Sequence, residues 1–173
     1  MQQFNIALKA RCEQLDSIRA FLIDRNARFV GTDHQKDTYF NAPNGRLKLR
    51  QGNMENALMH YDCSAQPDPN SGCVSLFPVQ EGEGDGLARF LDKALGITGV
   101  VEKKREIYFI ENVKFHLDEV QGHGCFVEVE AVDIDESIGA EQLAQQCCYY
   151  KEALGIKETD LLSHSYSELL ATG

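Results

Sequence analysis

The segment RLKLRQ, residues 46–51, carries Arg46, Lys48 and Arg50 at alternate positions with Leu47 and Leu49 between them. Successive side chains of a strand point to opposite faces, so the three cations form one row and the leucines another. Like charges stacked along one face repel, and a solvated face usually avoids this by mixing signs. Along the rest of the chain the segregation recurs. Lys103 and Arg105 share a face in VEKKREIYF, and Lys9 shares one with Asn5 and Ala7 in NIALK. In KFHLDEVQGHGCFVEVEAV, residues 114–132, QGHG is turn chemistry between two strand-forming arms. Asp118, Glu128 and Glu130 can share one face of that hairpin, with Val127 and Val129 on the other. The bland reading is an antiparallel sheet with one wet side. Basic rows opposite an acidic set suit a polyphosphate held through divalent metal, with Arg and Lys on phosphate oxygens and carboxylates on Mg²⁺ or Mn²⁺.

If the charged faces converge, the apolar faces must turn outward. That predicts an α+β chain built as a closed or nearly closed antiparallel β-barrel, charged inside and covered outside by amphipathic helices. Small barrels usually fill their interior with apolar side chains, and a charged interior is costly unless water or a ligand occupies it. Strands are expected at residues 4–12, in QKDTYF, RLKLRQ, NALMHYDCS and CVSLFPVQ, in VVEKKREIYFIE and in both hairpin arms. Helical spacing runs over 15–31, 85–97 and 137–156, the last two closed by Gly96 and Gly155, with a short final helix in ETDLLSHSYSELLATG. AQPDPNSG reads as a loop. With 173 residues and no long linker, residues 1–173 are expected to form one domain.

The net charge of −10 argues against a general nucleic-acid binder, although it leaves room for a local basic pocket. No apolar run approaches the ~20 residues of a membrane span and the first residues have no signal-peptide core, so the expected location is cytoplasmic, away from membranes. The six cysteines show no CxxC spacing and are expected to be plain thiols.

Taken in order, NIALKAR, DTYFNAPNGRLKLRQ, ALMHYDC, VVEKKREIYF, FHLDEVQGHGCFVEVE and SHSYSELL resemble the CYTH superfamily of triphosphate tunnel metalloenzymes, in its class IV adenylyl cyclase-like branch. The resemblance spans essentially the whole chain. It implies an eight-stranded antiparallel tunnel that binds a triphosphate with Mg²⁺ or Mn²⁺. It also implies that Lys9, Arg46, Lys48, Arg50, Lys103 and Arg105 hold phosphate, with Lys9 and Arg105 as catalytic cations, and that Asp118, Glu128 and Glu130 hold metal. Two positions depart from the family pattern. Its N-terminal ExExK motif reads Asn5, Ala7, Lys9, and Cys63 stands where a basic residue is usual. His60, Asp62 and Glu55 are candidate replacements for the lost ligands, while His116 and His123 flank the acidic hairpin.

Two functions follow. One is a metal-dependent enzyme that converts ATP to cyclic AMP and pyrophosphate, or hydrolyses thiamine triphosphate or tripolyphosphate. The alternative is a nucleotide- or polyphosphate-binding protein impaired in catalysis by Ala7 and Cys63. The related cyclases suggest a homodimer.

Overall fold

A computed structural model describes residues 2–62, 71–162 and Tyr166. The strands are β1 (Gln2–Arg11), β2 (Arg28–Phe40), β3 (Arg46–Gln51), β4 (Ala57–Asp62), β5 (Ser71–Pro78), β6 (Ile97–Ile110), β7 (Val113–Val120) and β8 (Gly124–Asp133). The helices are α1 (Leu15–Asp24), α2 (Gly84–Leu95) and α3 (Ala140–Ala153). All neighbouring strands run antiparallel in the order β1-β5-β4-β3-β2-β6-β7-β8, and β1 also pairs with β8 over Phe4–Arg11, which closes the barrel.

The alternation decides which face is which. Leu117, Val127, Val129 and Ala10 turn outward, where they are buried against Leu15, Ile18 and Leu22 of α1 and Leu143 and Cys147 of α3. Burial of these side chains, at about 25 cal/mol per Å² of apolar surface, holds the helices to the barrel. Odd-numbered β1 residues and even-numbered β7 and β8 residues turn inward, because directly opposed residues such as Lys9, Glu128 and His116 lie on one face. One part of the interior is apolar and packs Tyr39, Val101, Val120, Phe126 and Tyr166 together.

Three elements differ from expectation. The first helix ends at Asp24 rather than at residue 31: Asn26 takes φ 55°, a left-handed value, and Arg28 begins β2. β2 therefore runs 13 residues and contains QKDTYF as its second half. α3 begins at Ala140, because residues 137–139 form a turn whose Ser137, Ile138 and Gly139 N–H groups donate to the Asp133 carboxylate. Of the final segment, Glu158–Asp160 forms a short 3₁₀ turn, and residues 163–165 and 167–173 lie outside the described residues, as does most of the AQPDPNSG loop. No helix among the described residues is long and apolar enough to cross a membrane.

Candidate functional site

Asp37 is the hub of the charged interior. Its carboxylate is completely buried and accepts from Arg50 Nε at 2.8 Å, Arg50 Nη2 at 2.9 Å and Lys103 Nζ at 2.6 Å. Lys48 Nζ stands 3.4 Å away. Burial alone would raise the Asp37 pKa, but the charges of Arg50, Lys48 and Lys103 outweigh it and hold the carboxyl well below the usual range. Lys48 moves the other way: burial brings its ammonium down to about 7, against the opposing pull of Asp37.

A second group is built on β6, β7 and β8. Arg105 forks onto Asp118, with Nε to Oδ1 at 2.6 Å and Nη2 to Oδ2 at 2.5 Å, and Nη2 also reaches Glu128 at 3.2 Å. The planar guanidinium fits a carboxylate in this two-bond arrangement. Tyr166 donates its hydroxyl to Asp118 Oδ2 at 2.6 Å, and the Lys9 ammonium lies 3.8 Å from the centre of the Tyr166 ring. Burial pushes the Asp118 pKa up, yet Arg105 brings it down to about 2. Glu128 pairs with Lys9 at 3.7 Å and with His116 Nδ1 at 2.9 Å. Burial, Arg105 and Lys114 lower the His116 pKa to about 4, so at neutral pH the ring is uncharged. Glu128 accepts from Nδ1–H, which leaves the lone pair on Nε2, a buried atom with no hydrogen-bond partner among the described residues.

Between the two groups sits Glu55, from the β3–β4 connection. It accepts from Lys114 at 2.7 Å, Arg50 Nη1 at 2.9 Å and Gln35 at 3.1 Å. The connection is anchored by Asp33, which takes the N–H groups of Asn53, Met54 and Glu55.

Five of the six cations read from the sequence, Lys9, Lys48, Arg50, Lys103 and Arg105, are gathered around Asp37, Asp118 and Glu128. Arg46 takes the next inward position on β3, with its guanidinium 4.7 Å from the Tyr61 ring centre. Asp118, Glu128 and Glu130 do share the inward face, but they are not assembled as one metal cage. Asp118 is spent on Arg105 and Tyr166, Glu128 accepts from Arg105 and His116 with Lys9 nearby, and Glu130 accepts from the Asn5 amide. Ala7 lies directly opposite Glu130 and offers no ligand. Among the described residues no group of three or more His, Cys, Asp or Glu is arranged to hold a metal ion, so this donor set does not fit a protein-held Mg²⁺ or Mn²⁺.

Of the candidate replacements, Glu55 alone is in the interior. His60 and Asp62 are on the outward face of β4, His60 Nε2 lying 2.9 Å from the Asn44 carbonyl oxygen. His123 is in the β7–β8 turn. Cys63 lies outside the described residues; Cys12, Cys125, Cys147 and Cys148 are free thiols.

Sequence reasoning missed Asp33, Asp37, Lys114 and Tyr166, and offered Glu55 only as a replacement ligand. A signal existed for two: Asp33, Gln35 and Asp37 alternate as Arg46, Lys48 and Arg50 do, although a strand limited to QKDTYF leaves Asp33 out of the row.

Solved structures with this fold include the PH1012 protein of Pyrococcus horikoshii OT3, at 28% identity and a TM-score of 0.78, covering 95% of this chain and 98% of that one. A candidate adenylate cyclase of Vibrio parahaemolyticus matches at 17% identity and TM-score 0.75, with 98% of each chain covered. The Hippeastrum protein HpAC1, a candidate adenylyl cyclase whose dominant activity is that of a triphosphatase, matches at 15% and 0.61, over 89% and 88% of the two chains. No curated protein sequence matches. The CYTH domain family model matches residues 3–166, nearly the whole barrel and its tail, and this chain belongs to the CYTH domain family.

Proposed function

We propose that this chain binds the triphosphate group of a small molecule, such as ATP, thiamine triphosphate or tripolyphosphate, in the barrel interior. The observation that carries the reading is the buried set Lys9, Lys48, Arg50, Lys103 and Arg105 on inward strand positions, with Arg46 beside it. Cations so placed need counter-charge, which Asp37, Glu55, Asp118 and Glu128 supply at close range to Arg50, Lys103 and Arg105. Lys9 and Lys48 stand 3.7 and 3.4 Å from their carboxylates, beyond a strong hydrogen bond, so their ammonium donors are available to phosphate oxygens. Arg50 and Arg105 act chiefly by orienting the charged walls. Among the described residues, the Mg²⁺ or Mn²⁺ implied by the sequence resemblance lacks a ligand set.

Binding without turnover is favoured by Ala7 and by the engagement of Asp37, Glu55, Asp118, Glu128 and Glu130 with other groups. One observation favours hydrolysis as a second reading: the uncharged His116, oriented through Nδ1 by Glu128, carries an unpartnered Nε2 lone pair in the interior. As a general base it would take a proton from water as the oxygen bonds to the terminal phosphorus and the bridging P–O bond breaks. Cyclisation of ATP would use the same base on a ribose hydroxyl, with Lys9 and Arg105 beside the reacting phosphate.

The test is thermal denaturation with ATP, thiamine triphosphate and tripolyphosphate in turn, together with assays for cyclic AMP and released phosphate with and without Mg²⁺ or Mn²⁺. Stabilisation by at least one triphosphate is expected, with no cyclic AMP. Failure of all three to bind overturns the reading, and phosphate release lost in His116→Asn establishes the hydrolytic one.

A further inference from the structure

We infer that the interior takes the triphosphate as the free polyanion, not as its divalent-metal complex. The inference rests on the triphosphate reading above and adds the ionic form of the ligand.

A metal–triphosphate complex needs carboxylate or carbonyl oxygens on the protein to complete the metal's coordination. The wall formed by β1 and β8 is where the chain would supply them, and it supplies the wrong groups. Ala7 is opposite Glu130 in register and has no oxygen to give. Asn5 turns its amide N–H toward Glu130, so the nearest polar neighbour of that carboxylate is a donor satisfying it rather than a second ligand. Glu128 already accepts from Arg105 and His116 and lies 3.7 Å from the Lys9 ammonium, and Asp118 accepts from Arg105 and Tyr166.

Recruiting these carboxylates to a metal would strip the partners from Arg105, which is only 3% exposed. A buried cation left without its counter-charge is strongly destabilising. Mg²⁺ also dehydrates reluctantly, and no group of described residues is preformed to repay that.

The cationic wall makes the opposite demand. Lys9, Lys48 and Arg46 reach no described carboxylate at hydrogen-bonding distance, and all three are inward-facing. Such donors gain most from the full negative charge of a bare triphosphate. Metal binding to the ligand neutralises part of that charge before it arrives. Mg²⁺ should therefore compete with the protein for the ligand, whereas in a site built for the metal complex it would be required.

The experiment is calorimetric titration of the full-length protein with tripolyphosphate, once in EDTA and once in Mg²⁺ well above the ligand concentration. Binding in EDTA, weakened roughly tenfold or more by excess Mg²⁺, is expected from mass action on the free ligand. Equal or tighter binding in Mg²⁺, or binding only there, overturns the inference and leaves triphosphate binding standing. Binding in neither buffer overturns both. A second measurement reverses the sign by design: the double variant Asn5→Glu and Ala7→Glu, checked for folding by its thermal transition, should bind more weakly in EDTA and gain affinity with Mg²⁺. If it folds and Mg²⁺ still weakens its binding as in the unaltered chain, the missing β1 carboxylates are not what sets the metal response, and the inference fails.

Discussion

Lys103 Nζ and Asp37 Oδ2 meet at 2.6 Å inside the barrel, joining β6 to β2 through residues 66 positions apart in the chain. Neither side chain reaches water to any extent, being 1% and 0% exposed. Asp37 also serves Arg50 and Lys48, so one carboxylate balances three buried cations.

Asp37→Asn should therefore be among the most damaging single changes in the barrel. It keeps the shape and removes the charge, leaving Lys48 and Lys103 uncompensated and Arg50 with Glu55 alone. A loss of about 3–5 kcal/mol is expected in urea denaturation. Saturating tripolyphosphate should restore part of it by returning negative charge to the same cations; equal loss with and without ligand would show that the anion does not reach them.

Lys48 couples binding to pH. The unfolded chain keeps this proton up to about 10.5, while the folded chain releases it near 7. Between those values the unfolded state binds more protons, so stability rises with pH there, and the penalty of the buried ammonium is fully present below 7. A bound anion favours the protonated form. Tripolyphosphate affinity should fall from pH 7 to pH 9, and Lys48→Met should flatten the dependence while weakening binding at pH 7. Affinity independent of pH in the unaltered chain would contradict this.

His116 titrates on the acid side. Its pKa falls from 6.5 to about 4 on folding, because burial and the nearby Arg105 and Lys114 disfavour the charged ring. Between pH 6.5 and 4 the unfolded chain takes up the proton and the folded chain does not, so stability is lost as the solution is acidified through that window. The size is about 3 kcal/mol if the full difference is expressed. His116→Asn, which can still donate to Glu128, should remove that slope in denaturation curves taken across the window.

Arg105→Lys tests the fork. A lysine keeps the charge but cannot make two parallel bonds to Asp118 and a third contact to Glu128. A stability loss of about 2 kcal/mol and weaker triphosphate binding are expected. Tyr166→Phe, which removes only the hydroxyl bond to Asp118, should cost less than the arginine change; the reverse order in chemical denaturation would mean that the tail, not the fork, positions Asp118.

The period-two alternation of RLKLRQ, NIALK, VEKKREIYF and the 114–132 hairpin was enough to sort residues by face. Which side of a strand a residue occupies is a local property of the backbone, and the segregated signs marked the charged faces as mutually facing. The departure at Ala7 was equally legible, since it needs only the position of Lys9 on the same strand. Partnership was not legible. Asp118 reads as a metal ligand by its company on the hairpin, yet the register between β6 and β7 places Arg105 directly opposite it, and the guanidinium takes both oxygens. Asp37 shares its face with Asp33, but Asp33 precedes the stretch QKDTYF that reads as a strand, and Glu55 reaches the interior from a connection with no periodicity. Tyr166 arrives from the far end of the chain. Local sequence determines the direction of a side chain; strand order and register, which are long-range, decide which charges lie within 3 Å, and at that distance in a buried interior the nearest cation decides what a carboxylate can do.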